Sequence, residues 1–209
     1  MPFALEALEA KHGDALLLHY GEESDPKLIV IDGGPAGVFP GSLKPRLDEI
    51  KQERSPDEPL AIRMVMVSHI DDDHISGVLQ LVKSLADLKE QNQPLPYDVI
   101  TLWNNSFDDL LNNEAEEMVA ALKIAEFADD SVFNVSSITV LATFRKKSML
   151  LTGDARGDFV LDGLKRAGWL KKGKCHVDLL KIPHHSSHNN VDTDFFRADG
   201  RSLCGLRRR

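Results

Sequence analysis

Two histidines and three aspartates fall within the six residues from His69 to His74, in the run Ser68-His69-Ile70-Asp71-Asp72-Asp73-His74-Ile75-Ser76-Gly77. Imidazole nitrogen and carboxylate oxygen are ordinary ligands for zinc, manganese and iron. In an extended loop, residues two apart point the same way, so His69, Asp71 and Asp73 can converge, and His74 can add a ligand as the chain turns. A purely structural role, in which Asp73 caps a following helix, accounts for one of these residues and not for the group. The cluster points to a metal-dependent enzyme.

Two further segments have the same form. Met149-Leu150-Leu151-Thr152-Gly153-Asp154 is a short apolar run that ends in Gly-Asp, and Leu179-Leu180-Lys181-Ile182-Pro183-His184-His185 is another that ends in paired histidines. Gly-Asp alone is a common turn, and paired histidines alone are common on surfaces. Three apolar runs that each end in His or Asp form a more specific constellation than any one of them.

The elements that must carry these residues are read from periodicity. Strands are expected over 3–8, 15–20 and 27–31, the last stopped by Asp32-Gly33-Gly34-Pro35. A helix is expected over 43–52, and a buried strand over 62–67 leads into the His/Asp cluster. Ile75, Val78, Leu79, Val82, Leu85 and Leu88 recur at helical spacing, and that helix ends before Pro94. Next come a strand over 97–103, a helix over 110–127, strands over 137–144 and 148–152, a helix over 159–167 and a strand over 177–182. Phe195-Phe196 reads as helical, and 198–209 gives no clean element. Strands in groups with helices between them, and no dividing linker, predict one α/β domain over 1–209.

Composition narrows the function classes. The chain has 209 residues, 42% hydrophobic and 28% charged, which excludes a disordered or collagen-like protein. A formal net charge of −8 disfavours broad binding to nucleic acid or anionic membrane, although a local metal site still attracts phosphate. Cys175 and Cys204 form no CxxC pattern and read as reduced thiols. The N-terminus lacks a basic, apolar leader, and no run of about 18 apolar residues occurs, so the expectation is a cytoplasmic protein without a membrane partner. Arg207-Arg208-Arg209 reads as a solvated terminus.

The motifs together resemble the metallo-β-lactamase-fold hydrolases. The resemblance rests on H-x-D-x-D-H at 69–74, Gly153-Asp154, Pro183-His184-His185-Ser186-Ser187, and the N-terminal pattern His12-Gly13-Asp14-Ala15-Leu16-Leu17 followed by Ile29-Val30-Ile31-Asp32-Gly33-Gly34. It covers about residues 3 to 190 and is closest to the hydrolase domain of bacterial competence-type DNA-uptake proteins. It implies a four-layer αββα sandwich with a metal site at one edge between two sheets. It also implies one or two divalent ions, zinc first, with manganese or iron as alternatives. His69 and Asp71 correspond to the first metal site, Asp73 and His74 to the second, and Asp154 to the bridging aspartate. His184 or His185 corresponds to the final histidine, with His184 favoured because it comes first after the strand. Asp73 and His74 are the candidate catalytic residues, and Asp32 is expected to support the site through its loop.

Two departures accompany the resemblance. Many members supply a lone histidine between the first motif and the bridging aspartate, whereas this chain has none between His74 and His176. Asn104 and Asn105 lie near where such a ligand sits, as ligand or as turn residues. Relatives also continue further past the paired histidines, where only 24 residues follow His185 here. The expectation is a hydrolase that activates water with metal and acts on a phosphodiester or other ester, either a small molecule or a short nucleic acid. The alternative is a non-catalytic interaction module with a degenerate metal site. A serine hydrolase built on Ser186 or Ser187 is disfavoured because the chain has no G-x-S-x-G elbow.

Overall fold

The computed structural model describes residues 3–105, 134, 136–187 and 190–198. It is a mixed α/β protein with several sheets and, among the described residues, four α-helices. The chain falls into two compact units, Met1–Asn104 and Asn105–Arg209.

The strands of the first unit are β1 (Ala4–Ala7), β2 (Leu16–Glu22), β3 (Asp25–Ile31), β4 (Leu60–Ile62), β5 (Met64–Met66), β6 (Tyr97–Val99) and β7 (Leu102–Trp103). β1, β2 and β3 form an antiparallel meander, and β5 and then β7 add to it in parallel, giving the order β1-β2-β3-β5-β7. β4 and β6 form a separate parallel pair. The single strands expected over 62–67 and 97–103 are therefore each two short strands. The chain changes partners at Arg63, whose N–H donates to the Leu28 carbonyl at 2.9 Å, and at Ile100, whose N–H donates to Ile62 at 3.0 Å. Hydropathy cannot register such a handover, because both halves of each run stay apolar.

Two helices cover this unit. A widened turn at Phe39–Leu43 runs into α1 (Lys44–Arg54), and α2 (Asp72–Glu90) follows the His/Asp cluster. Leu43, Leu47 and Ile50 are buried with Leu17, Leu28, Val30, Val65, Val78 and Leu81 in one core. The apolar stripe of α2 is narrower than its spacing predicts. Val78 and Leu81 are buried, but Leu79 and Val82 are 57% and 43% exposed.

The start of α2 sits directly on the chain leaving β3. Gly33 N–H donates to the His74 carbonyl at 2.7 Å, and Gly77 N–H donates to the Gly34 carbonyl at 2.9 Å. A Cβ on Gly77 would stand 1.9 Å from the Gly33 oxygen, and one on Gly33 would stand 2.3 Å from the Val78 nitrogen. Two backbones approach this closely only where neither residue has a side chain.

β1 and β2 are tied to α1 by charge. Glu6 accepts from Arg46 Nε at 2.7 Å and from His19 Nε2 at 2.9 Å. Arg54 Nη2 lies 2.9 Å from His19 Nδ1 and can only donate, so Nδ1 accepts and the proton of a neutral ring sits on Nε2. Burial, opposed by Glu6, lowers the His19 pKa. Burial works to raise Glu6, but the hydrogen bonds from Arg46 and His19 outweigh it and hold the carboxyl below its ordinary value.

The second unit contains β8 (Val140–Phe144), β9 (Lys147–Leu151), α3 (Gly157–Arg166), β10 (Leu179–Lys181) and α4 (Thr193–Ala198). β9 is central, antiparallel to β8 and parallel to β10. Its core joins Leu150, Val160, Leu164, Leu180 and Phe195. The helix expected over 110–127 and most of the segment 198–209 lie outside the described residues.

Two outcomes are expected. Gly77→Ala forces Gly33 and α2 apart and lowers unfolding free energy by about 1–3 kcal/mol in urea titration; an unchanged midpoint would remove the close approach as a constraint. The second concerns acid. A folded-state pKa below the unfolded one means that the unfolded chain binds more protons, so stability falls as the pH is lowered. The His19 contribution is lost as pH falls below 6.5, and the Glu6 contribution as pH falls below 4.5. In Glu6→Gln, melting curves keep the first loss and show less of the second; identical acid profiles for variant and wild type would contradict this assignment.

Candidate functional site

β5 ends at Met66, and the two residues after it, Val67 and Ser68, are buried. His69 and His74 follow, 1% and 0% exposed, with ring centroids 4.0 Å apart. Asp71 is the N-cap of α2, and Asp72 and Asp73 occupy its first turn, where negative charge meets the positive end of the helix dipole. The extended-loop geometry expected for 69–73 is thus corrected. The helix begins at Asp72, so Asp73 and His74 enter the site from its first turn and not by strand alternation.

His69, Asp73 and His74 each offer a ligand atom, and these atoms lie within 4.8 Å of one another. The His74 Nε2 to Asp73 Oδ2 distance is 3.8 Å, as is that from His69 Nε2 to Asp71 Oδ2. This exceeds a hydrogen bond. It is close to the separation of about 3.4 Å between two ligands on a tetrahedral ion with bonds near 2.1 Å. Asp71, expected as a ligand of the first site, neighbours His69 but stands outside the three-residue group.

The far side of each ring is fixed. Buried Asp32 accepts at Oδ1 from the Ser68 N–H at 2.7 Å, and at Oδ2 from the Ser68 hydroxyl at 2.6 Å and from His74 Nδ1 at 2.9 Å. The Ser68 hydroxyl has one proton and donates it to Asp32, so it accepts from His69 Nδ1 at 3.0 Å. Both rings therefore carry hydrogen on Nδ1 and a lone pair on Nε2, the form that binds metal. Burial pushes the Asp32 pKa up, and the hydrogen bonds from His74 and Ser68 oppose it. Asp32 has φ 57°, a left-handed conformation that Asp and Asn tolerate better than most residues.

Asp14, given no role in the sequence reading, is 8% exposed and places a carboxylate oxygen within 4.8 Å of a His74 ring nitrogen. Its neighbour Gly13 explains the placement, because a Cβ there would meet the Asp73 carbonyl oxygen at 1.9 Å. Ser68 is likewise marked only by the structure. A lone serine beside a histidine gives no sequence signal, whereas Asp14 follows a glycine at a strand boundary.

The second unit brings two histidines near one buried carboxylate. Asp154, 3% exposed, follows β9, and its Oδ2 lies 3.9 Å from His184 Nε2 and 3.7 Å from His185 Nε2. Both histidines thus face Asp154, and His184 is not singled out by distance. His184 Nδ1 is 2.6 Å from Asn190 Oδ1, which fixes its tautomer as Asp32 fixes that of His74, and Asn190 Nδ2 donates to the Asp154 carbonyl at 3.3 Å. His184, His185 and Ser186 all have positive φ (45°, 51° and 71°), a sequence of non-glycine residues that L-amino acids adopt only under constraint. The side-chain amide of Asn105 donates to the carbonyl of Ser136, which is distant in sequence.

No helix among the described residues is long and apolar enough to cross a membrane. No protein-family model matches the chain, and no curated protein does.

Asp32→Asn keeps the side-chain shape and suits the left-handed backbone, but its amide can turn an N–H toward His74 and move the ring proton to Nε2. Zinc affinity, measured by chelator competition, is expected to fall about 10–100-fold with the circular dichroism spectrum unchanged. Undiminished affinity would show that Asp32 does not set the tautomer.

Proposed function

We propose that this protein is a metal-dependent hydrolase of the metallo-β-lactamase type, with the αββα arrangement that its motifs imply. One observation carries the reading: His69 and His74 are buried with both Nδ1 atoms engaged and their Nε2 atoms turned toward carboxylates. Two imidazoles and a carboxylate fit zinc, and the added carboxylates of Asp71 and Asp14 extend the range toward manganese. Asp154, with His184 or His185, is the second ligand set.

A divalent ion held there would acidify water and stabilise negative charge on a carbonyl or phosphoryl oxygen. The residues supply the rest. His69 and His74 hold their lone pairs at fixed angles because Ser68 and Asp32 grip their other nitrogens. Asp73, 30% exposed, has one oxygen for the ion and a second that can accept a hydrogen bond from the attacking water and orient it. Fold does not choose the substrate. The resemblance to the DNA-uptake group favours a phosphodiester, and the net charge of −8 favours a small nucleotide or short strand over a long polyanion.

The position of Asp71 outside the three-residue group favours a second reading, a non-catalytic module that retains a reduced metal site. Metal content and turnover separate the two. Protein purified without chelator is expected to hold about one or two equivalents of zinc or manganese, reduced in His74→Ala, and to hydrolyse bis(p-nitrophenyl) phosphate. Asp73→Asn is expected to lower that turnover by more than the about 10–100-fold typical of losing an outer-shell partner, with the fold retained. Metal without turnover on any phosphodiester supports the module, and no metal after zinc or manganese addition defeats both readings.

A further inference from the structure

Lys181 closes β10 beside Asp154 and is tied down at both ends. Its carbonyl accepts from the Thr152 hydroxyl at 2.7 Å, and its ammonium donates to the Gly153 carbonyl at 2.7 Å and to Asp154 Oδ1 at 3.4 Å. The side chain is only 11% exposed. The two oxygens of Asp154 therefore have different surroundings: Oδ1 faces an ammonium, while Oδ2 faces His184 and His185 at 3.9 and 3.7 Å. An ammonium beside a cation site is electrostatically adverse to the cation, so metal affinity alone does not explain it.

We propose that Lys181 is a positioning residue that restricts Asp154 to a single ligating oxygen. The inference rests on the reading that Asp154 holds an ion. A carboxylate binds metal through one oxygen or both. Zinc takes four ligands and accepts the one-oxygen mode, whereas calcium takes six to eight and gains from the two-oxygen mode. With Oδ1 held by the ammonium, Asp154 supplies Oδ2 alone. Lys181 thereby keeps the coordination number low and discriminates against calcium.

The test uses the full chain, stripped of metal and reloaded with cobalt(II), whose visible bands weaken as coordination number rises. Lys181→Met removes the ammonium from Oδ1, so the bands are expected to dim, and the calcium-to-zinc affinity ratio is expected to rise on the order of tenfold, the scale of one added charge-assisted contact. Lys181→Arg, which still donates to Oδ1, restores both. In an Asp154→Asn background the Met substitution changes neither, because the cycle isolates the pair from any loss of packing. If cobalt binds wild type and Lys181→Met but the spectra and the ratio match, or if the change persists without Asp154, Lys181 does not restrict the carboxylate. If wild type binds no cobalt, zinc or manganese, the reading of Asp154 as a ligand fails, and the inference fails with it.

Discussion

The hydrogen bond from His74 Nδ1 to Asp32 is the contact on which the first unit's site depends. It joins two fully buried polar side chains that hydrophobic burial alone would expel. Such a pair persists only when its remaining valences are met, and Ser68 meets them with a backbone donor to one carboxylate oxygen and a hydroxyl donor to the other. Because the hydroxyl proton is committed to Asp32, the same oxygen must accept from His69. One carboxylate and one serine thus set the proton positions on two rings.

That network requires the end of β3, the end of β5 and the first turn of α2 to meet within a few ångströms. The glycines provide the approach. Gly33 and Gly77 let the α2 backbone lie against the chain leaving β3, and Gly13 lets the turn before β2 lie against Asp73. The Gly33 N–H bonds the His74 carbonyl itself, so the dock and the candidate ligand share a residue. The parallel addition of β5 to β3 places Met66 beside Ile31, one residue short of Asp32 and two short of Ser68. Strand register therefore brings the carboxylate and the serine to the same level of the sheet.

Much of this was legible in the sequence, for identifiable reasons. Short apolar runs followed by His or Asp announced strand ends, and the three motif segments do follow β5, β9 and β10. The Gly33-Gly34 stop after β3 and the helical spacing after His74 were equally readable. What could not be read depended on pairing. The splitting of 62–67 and 97–103 between two sheets leaves hydropathy unchanged. Exposure of Leu79 and Val82 follows from which face of α2 meets the sheet, and spacing shows only that a face exists. Ser68, Asp14, Lys181 and Asn190 act through groups distant in sequence or through the backbone, and their residue types are too common to mark a site. Chain order does not choose between His184 and His185 for a related reason. His184 comes first after the strand, but left-handed backbone at both residues turns both rings toward Asp154.

The two sets of candidate ligands follow one construction rule on unrelated local structures. In the first unit a buried carboxylate orients the histidine, and a helix start delivers Asp73. In the second an amide, Asn190, orients the histidine, and a strained left-handed turn delivers the imidazoles. Left-handed backbone at His184, His185 and Ser186 costs about 1–2 kcal/mol per residue, and a site without a use for it would relax by placing glycine there. The turn is held instead by Ser187 N–H to the His184 carbonyl at 2.8 Å and by the Asn190 contact. Strain that surrounding bonds over-determine is a mark of imposed geometry. Its consequence here is that two adjacent imidazoles present Nε2 to the same carboxylate oxygen, an arrangement that ordinary strand or helix backbone would not give to neighbouring residues.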